Sequence, residues 1–171
     1  MSKFPISSFA KLSFFALGLA LFSSCATTGR HDSLMSLPSS KRIETIGLVI
    51  KAQAPEAQVA IPEIEKHLVS KFQGAYRITT PRQDLKDPGY ATLTLVIEDF
   101  NQVGKASRLF LGILAGKDRI QARGTFTDSR GKIGEFLALG ETVEGGLFGP
   151  TGTERVAQVI ANEMEAFLRG N

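Results

Sequence analysis

The sequence contains a single cysteine and only two histidines, and this scarcity excludes several classes of site. One cysteine cannot form an intramolecular disulfide, so the fold depends on packing alone. The chain has no second cysteine and no HExxH or HxxE spacing that would build a metal site, and no serine or cysteine lies in a nucleophile-elbow motif. We therefore expect no catalytic residue, no metal ligand and no cofactor.

Apolar runs long enough to span a membrane are also absent. The run from Leu12 to Phe22 would form a helix of about 16 Å, whereas the hydrocarbon core of a bilayer is about 30 Å thick. Such a run is typical of the apolar region of a signal peptide, and Lys3 and Lys11 supply the positive charge that precedes it.

The only cysteine follows this run directly, after the small residues Ser23 and Ser24. This order resembles the lipobox of secreted bacterial lipoproteins, although Phe22 occupies a position where leucine is usual. In that family a diacylglyceryl group alkylates the cysteine thiol, the chain is cut before the cysteine, and the new amine is acylated, commonly with palmitate. The resemblance implies that residues 1–24 are a signal peptide and that Cys25 becomes the lipidated first residue.

Ala26 follows the cysteine, whereas aspartate at that position resembles an inner-membrane retention signal. The lipoprotein resemblance therefore implies a protein anchored in the outer membrane and facing the periplasm, held firmly because several acyl chains act together. Removing Lys3 and Lys11 from the 20 basic residues leaves 18 against 17 acidic ones, a net charge of +1. The basic isoelectric point of the full chain consequently indicates no nucleic-acid partner.

The remainder divides into two parts. Residues 25–42 are rich in Ser, Thr and Gly without a sustained period, which predicts a flexible, lipid-anchored tether. Residues 43–171 have the length of one domain of ordinary size, and we expect a single αβ domain there.

Hydrophobic periodicity predicts five strands and two helices in the order β-α-β-β-β-β-α. The strands are expected over Ile43–Lys51, Ala75–Thr80, Tyr90–Phe100, Arg119–Thr127 and Ile133–Val143, and the helices over about Ala60–Phe72 and Gly152–Leu168. This order predicts an α+β fold with two layers, a mixed or antiparallel sheet of about five strands with two helices on one face. The outer face of the sheet is expected to carry Thr92, Thr94, Arg119, Gln121 and Arg123.

Several polar residues invite a chemical interpretation that their context does not favour. The glycine-rich run before the last helix lacks the lysine of a phosphate-binding loop, which favours a hinge. His31 falls in the expected tether, and His67 lies beside core positions of the first helix. Glu98 and Asp99 are adjacent in a strand, so we expect their side chains on opposite faces, with Asp99 at a strand end or paired with an arginine.

One segment indicates recognition. Residues 107–116 read SRLFLGILAG and are flanked by basic side chains on both sides. The segment could be a buried crossover, an apolar lip that docks a partner, or an interfacial helix at lipid headgroups. The basic flanks favour contact with a partner or the membrane, through Arg108, Leu109, Phe110, Leu111, Ile113 and Leu114.

The stretch from Tyr90 to Leu168 resembles the bacterial lipoproteins grouped as domain of unknown function 4410. The shared features are a strand ending in Asp99-Phe100, the crossover from Arg108 to Gly116, an Asp-x-x-Gly-Lys hairpin at Asp128 and a glycine-rich loop into a C-terminal helix. The resemblance implies a small αβ domain on a lipid anchor and supplies no catalytic residue. We expect a non-enzymatic binding or scaffold module for an envelope protein partner. The alternative is a periplasmic carrier or sensor of a small amphiphile, a lipid or a glycan, which would need a lined pocket between sheet and helices.

Overall fold

The computed structural model describes residues 27–81, 87–103, 116–142 and 152–169. Its strands are β1 (Thr27–Met35), β2 (Thr45–Ala52), β3 (Arg77–Thr79), β4 (Tyr90–Asn101), β5 (Asp118–Asp128) and β6 (Gly131–Thr142), and its helices are α1 (Ile61–Phe72) and α2 (Gly152–Arg169). A short 3₁₀ helix, Pro55–Ala60, leads into α1. Each of the seven predicted elements is present, with small differences at its ends, and β1 is an addition.

The strands form one mixed sheet in the order β1-β6-β5-β4-β2-β3. Strand β2 runs parallel to both β3 and β4, and the other pairs are antiparallel. The α+β class is therefore confirmed, with six strands in the sheet rather than about five. The predicted β5–β6 turn is also confirmed, because Gly131 adopts a φ of 117°, which glycine accepts without strain.

Both helices pack their apolar residues against the inner face of this sheet. Helix α1 contributes Ile64, Leu68 and Phe72, which recur at four-residue steps and are all buried. The side chains of α2 join the same cluster, and the ring of Phe167 lies 4.9 Å from that of Phe136 on β6. One core therefore fills the space between the two layers.

Strand β1 corrects the prediction of a flexible tether over residues 25–42. Residues 27–35 pair antiparallel with β6, from Thr27 opposite Thr142 to Met35 opposite Glu135. The prediction was wrong for these residues because β1 is an edge strand whose residues are mostly exposed, so it shows no apolar alternation.

The chain after β1 also packs on the domain. Leu37 contacts the core cluster, and the Lys41 ammonium lies 3.0 Å from the Asp128 carboxylate and 2.8 Å from the carbonyl oxygen of Pro88. The Lys41 and Asp128 side chains are only 8% and 3% exposed. The folded unit therefore begins before residue 43, the expected domain boundary.

Candidate functional site

The outer face of the sheet carries a continuous ladder of charged side chains. Arg123 on β5 is its centre, with Nε 2.5 Å from Oε1 of Glu98 on β4 and a terminal nitrogen 3.7 Å from Glu135 on β6. Lys132 extends the ladder at one end, 2.6 Å from Glu135. The outer positions predicted for Arg119, Gln121 and Arg123 are confirmed, because the three residues alternate with buried ones along β5 and their side chains contact Asp99 or Glu98.

Glu98 and Asp99 lie on the same face, so the prediction that they point to opposite faces is wrong. The register between β4 and β5 shifts between Ile97 and Asp99, which is a β-bulge. The bulge adds one residue, Glu98, to β4, so the side chains of Glu98 and Asp99 both lie on the outer face. Asp99 consequently lies 3.4 Å from Arg119, which bears out the expected arginine partner.

These contacts fix the ionisation of the ladder. The hydrogen bond from Arg123 lowers the pKa of Glu98, assisted by Gln121 and opposed by burial, and the same contact raises the pKa of Arg123. A hydrogen bond from Lys132 likewise lowers the pKa of Glu135. Each carboxylate is therefore held ionised beside a cation, an arrangement that stabilises cross-strand pairing.

Edge strand β1 ends in an apolar corner, formed by Leu34 and Met35. Their exposed fractions are 51% and 41%, and Met35 lies opposite Glu135 on the outer face. A second bulge between Ser33 and Met35 interrupts the pairing with β6 there. These two adjacent side chains form a small exposed apolar surface at the edge of the described sheet. The only sequence signal for this corner is an apolar pair inside an otherwise polar segment.

A groove of about 560 Å³ lies beside this corner. Its walls are the chain that follows β1, including Leu37 and Pro38, and the end of α2 from Phe167 to Arg169. Apolar side chains, three serines and the cations Lys41 and Arg169 line it together.

The inner side of β1 is fastened to α2. His31 Nδ1 lies 2.9 Å from the Glu163 carboxylate, and both side chains are largely buried. Gly29 lies so close to Val159 and Glu163 that a Cβ there would overlap both side chains. These contacts attach β1 to α2, while most residues of the strand remain exposed.

A second cavity, of about 600 Å³, lies at the β5–β6 turn and is lined by charged and polar side chains. Lys41, Asp128 and Arg130 are among them. Burial by itself would raise the pKa of Asp128. The hydrogen bonds from the Arg130 backbone and from Lys41 outweigh this effect, so the pKa is lowered. This cavity is not the pocket between sheet and helices that a carrier of an amphiphile would need.

Cys25, the segment from Arg108 to Leu114 and the glycine-rich loop at 145–151 lie outside the described residues. The ends of the strands nevertheless locate their points of attachment. Thr27 pairs with Thr142, which also pairs with Asp118, so the start of β1, the end of β6 and the start of β5 share one end of the sheet. We call this the Thr27 end.

Neither helix within the described ranges is long and apolar enough to cross a bilayer. No family model matches the sequence, and no curated protein matches it.

This chain is similar to several solved structures. A PelC dodecamer from Paraburkholderia phytofirmans is 15% identical, with 83% of this chain and 97% of that chain covered at a TM-score of 0.48. A leucine-to-methionine variant of the same dodecamer is 14% identical, with the same coverage and a TM-score of 0.44. The crystal structure of an uncharacterized protein is 14% identical over 79% of this chain and 95% of that chain, with a TM-score of 0.42. At these values the similarity identifies neither a family nor a function for this chain.

Proposed function

We propose that this chain is a lipid-anchored, non-enzymatic binding or scaffold module of the outer membrane, facing the periplasm, that holds a protein partner along β1. The observation that carries the proposal is the exposed corner of Leu34 and Met35 at the end of an edge strand. Strand β1 is terminal in the sheet order, so one side of its backbone has no neighbouring strand within the described part of the chain. Such an edge accepts an extended segment of a partner by strand addition.

The position of β1 supports the lipid-anchor part of the proposal. Thr27 follows Cys25 by two residues, a distance of at most about 7 Å along an extended chain. An acylated Cys25 would therefore hold the Thr27 end of the sheet directly at the membrane, without a long stalk. A scaffold fixed in this way presents its edge strand in a defined orientation relative to the bilayer.

The same geometry supports a contact role for Arg108, Leu109, Phe110, Leu111, Ile113 and Leu114. Asn101, the last residue of β4, pairs with Arg119, near the start of β5, so the segment between these strands leaves from and returns to the Thr27 end. An apolar segment with basic flanks at that end would meet lipid headgroups or a membrane-bound partner. Membership of the domain of unknown function 4410 family is part of the same proposal.

The packed interior favours a scaffold over a carrier. Side chains on the inner face of the sheet and on both helices are fully buried against one another, including Leu95, Ile97 and Ile160. Binding an amphiphile there would require the described core to open, whereas binding a protein at β1 would not.

Photo-crosslinking in living cells tests the binding surface. A photoreactive amino acid at Leu34 should give one discrete adduct, whereas the same amino acid at Val59 should give none. Val59 is a matched control because it is 60% exposed and lies in the 3₁₀ helix, away from β1. Adducts of equal yield at both positions, or an adduct at Val59 alone, would contradict the proposed surface.

The anchor is tested separately, by metabolic labelling with a clickable palmitate analogue. Wild-type protein should be labelled and fractionate with the outer membrane, whereas Cys25→Ser should be unlabelled. Label on Cys25→Ser would show that acylation occurs elsewhere, and absence of label from the wild type would remove the anchor from the proposal.

The contact segment is tested by placing a charge at Phe110. If the segment is a partner or membrane contact, Phe110→Glu should leave the thermal midpoint of unfolding nearly unchanged and weaken membrane or partner association. A fall of more than about ten degrees, equivalent to about 2 kcal/mol for a domain of this size, would assign Phe110 to the core instead.

A further inference from the structure

Three side chains that offer metal-ligand atoms meet between the helices, although the sequence predicted no metal site. Glu63 and His67 lie four residues apart on α1 and therefore share one face of that helix. Glu154 lies in the first turn of α2. One ligand atom from each of the three residues lies within 4.8 Å of the other two.

The imidazole of His67 supplies an independent sign that a ligand belongs there. Its Nε2 atom is buried and forms no hydrogen bond with the described residues. Burying a polar nitrogen without a partner has a cost, which ordinary protein structures avoid. A cation coordinated by Nε2 would supply the missing partner.

The geometry is close to that of a zinc-class site. Ligand atoms about 2.1 Å from a tetrahedral ion lie about 3.4 Å from one another. The three ligand atoms would therefore need to approach one another by up to about 1.4 Å, which rotamer changes of the partly exposed glutamates supply. One imidazole and two carboxylates suit a first-row divalent ion better than magnesium or calcium, which prefer oxygen ligands alone.

Lys66 competes for the same place. Its ammonium lies 3.4 Å from Glu63 and 3.9 Å from Glu154, so it partly neutralises the two carboxylates. The Lys66 side chain is 62% exposed, and such pairs are weak. A divalent ion can displace this ammonium into solvent.

We propose that Glu63, His67 and Glu154 bind a first-row divalent metal ion, of which zinc is the best fit, with water completing its coordination. The ion would join α1 to α2 at their N-terminal ends. Lys71 already joins the opposite ends of the two helices, because it lies 2.7 Å from Glu165. Metal binding would thus stabilise the helical layer.

Calorimetric titration with zinc tests the proposal on full-length protein purified in detergent, without a histidine tag. Cys25→Ser serves as the background so that the cysteine thiol cannot bind zinc. We expect one zinc ion per chain, at least tenfold weaker binding in His67→Ala and in Glu154→Gln, and several-fold tighter binding in Lys66→Met. His31→Ala, which removes the only other histidine, should bind zinc as the background does.

Thermal unfolding supplies a second measurement that does not depend on heat of binding. Zinc should raise the midpoint of the background protein and not that of His67→Ala, and circular dichroism should show that both are folded. Equal zinc affinity in the background and in folded His67→Ala would overturn the proposal. So would loss of binding in His31→Ala alone, which would assign the ion to His31 and Glu163, or no saturable binding by Lys66→Met.

Discussion

The two faces of the sheet use the same strands for different purposes. On the inner face, alternate residues of β4, β5 and β6 are buried against α1 and α2. On the outer face, the intervening residues are half-exposed and form cross-strand ion pairs around Arg123. Complete burial of a large apolar side chain stabilises a protein by about 1.5–3 kcal/mol, whereas an exposed ion pair contributes about 0–1 kcal/mol. The inner face therefore supplies most of the stability, and the proposed partner surface on β1 lies outside this core.

The largest effect is expected from Phe136→Ala on the inner face. The Phe136 ring is fully buried, 4.9 Å from Phe167 and 6.3 Å from Phe126. Its removal leaves a cavity and should lower the free energy of unfolding by about 3–5 kcal/mol, measured by urea denaturation. Leu139→Ala, on the outer face of the same strand, is the matched control and should cost clearly less. Equal costs would show that the outer face is covered and buried as well.

The next effect concerns the ion pair at the end of the sheet. Asp128→Ala should lower the free energy of unfolding by about 3 kcal/mol, because it leaves the buried Lys41 ammonium without its carboxylate. The pKa of Asp128 is lowered in the folded state, so its contribution is full above the unfolded pKa of about 3.9 and is lost as the pH falls through the folded value. The difference between wild type and Asp128→Ala should therefore shrink in acid.

Lys41→Met is the control for this pair. It should cost less than Asp128→Ala, because Asp128 retains the hydrogen bond from the Arg130 backbone, 2.8 Å long. If neither substitution changes the free energy of unfolding, residues 36–42 are not part of the folded unit and form a tether, as predicted from the sequence.

A smaller effect is expected where β5 passes beneath an aromatic ring. A Cβ at Gly124 would lie 2.1 Å from the Phe136 ring, so Gly124→Ala requires the ring to move. We expect a cost of about 1–3 kcal/mol in urea denaturation. Combination with Phe136→Leu, which removes the overlapping atoms, should cost less than the sum of the two single changes. Strict additivity would contradict the close approach.

Sequence reasoning succeeded where apolar periodicity is strong and failed where other forces position the chain. Strand β4 alternates Ala91, Leu93, Leu95 and Ile97 toward the core, and both its location and its inner face were predictable. Strand β1 was not, because its inward positions include Gly29 and His31, which are held by close approach and an ion pair rather than by apolar burial.

The two polar details that sequence missed depend on distant parts of the chain. The bulge that turns Asp99 outward is defined only by its pairing with β5. The third side chain of the Glu63–His67–Glu154 cluster comes from the other helix, so no local spacing could indicate it. Cys25 and the contact segment from Arg108 to Leu114 remain predictions.

The smallest effect, and the sharpest test of the comparison between the faces, is expected from Glu98→Gln in the ladder. Glu98 and Arg123 are 23% and 37% exposed at their side chains, so solvent screens their attraction and the substitution should cost about 0.2–1 kcal/mol at neutral pH. Because the folded pKa of Glu98 is lowered, this contribution should be full above the unfolded glutamate value of about 4.3 and disappear as the pH falls through the folded value. High salt should reduce this contribution as well.

Urea denaturation of wild type, Glu98→Gln, Arg123→Met and the double variant gives the coupling energy of the pair directly. A coupling above about 2 kcal/mol, unaffected by salt, would mean that the outer face is shielded from water and that its ladder belongs to the core rather than to an open surface.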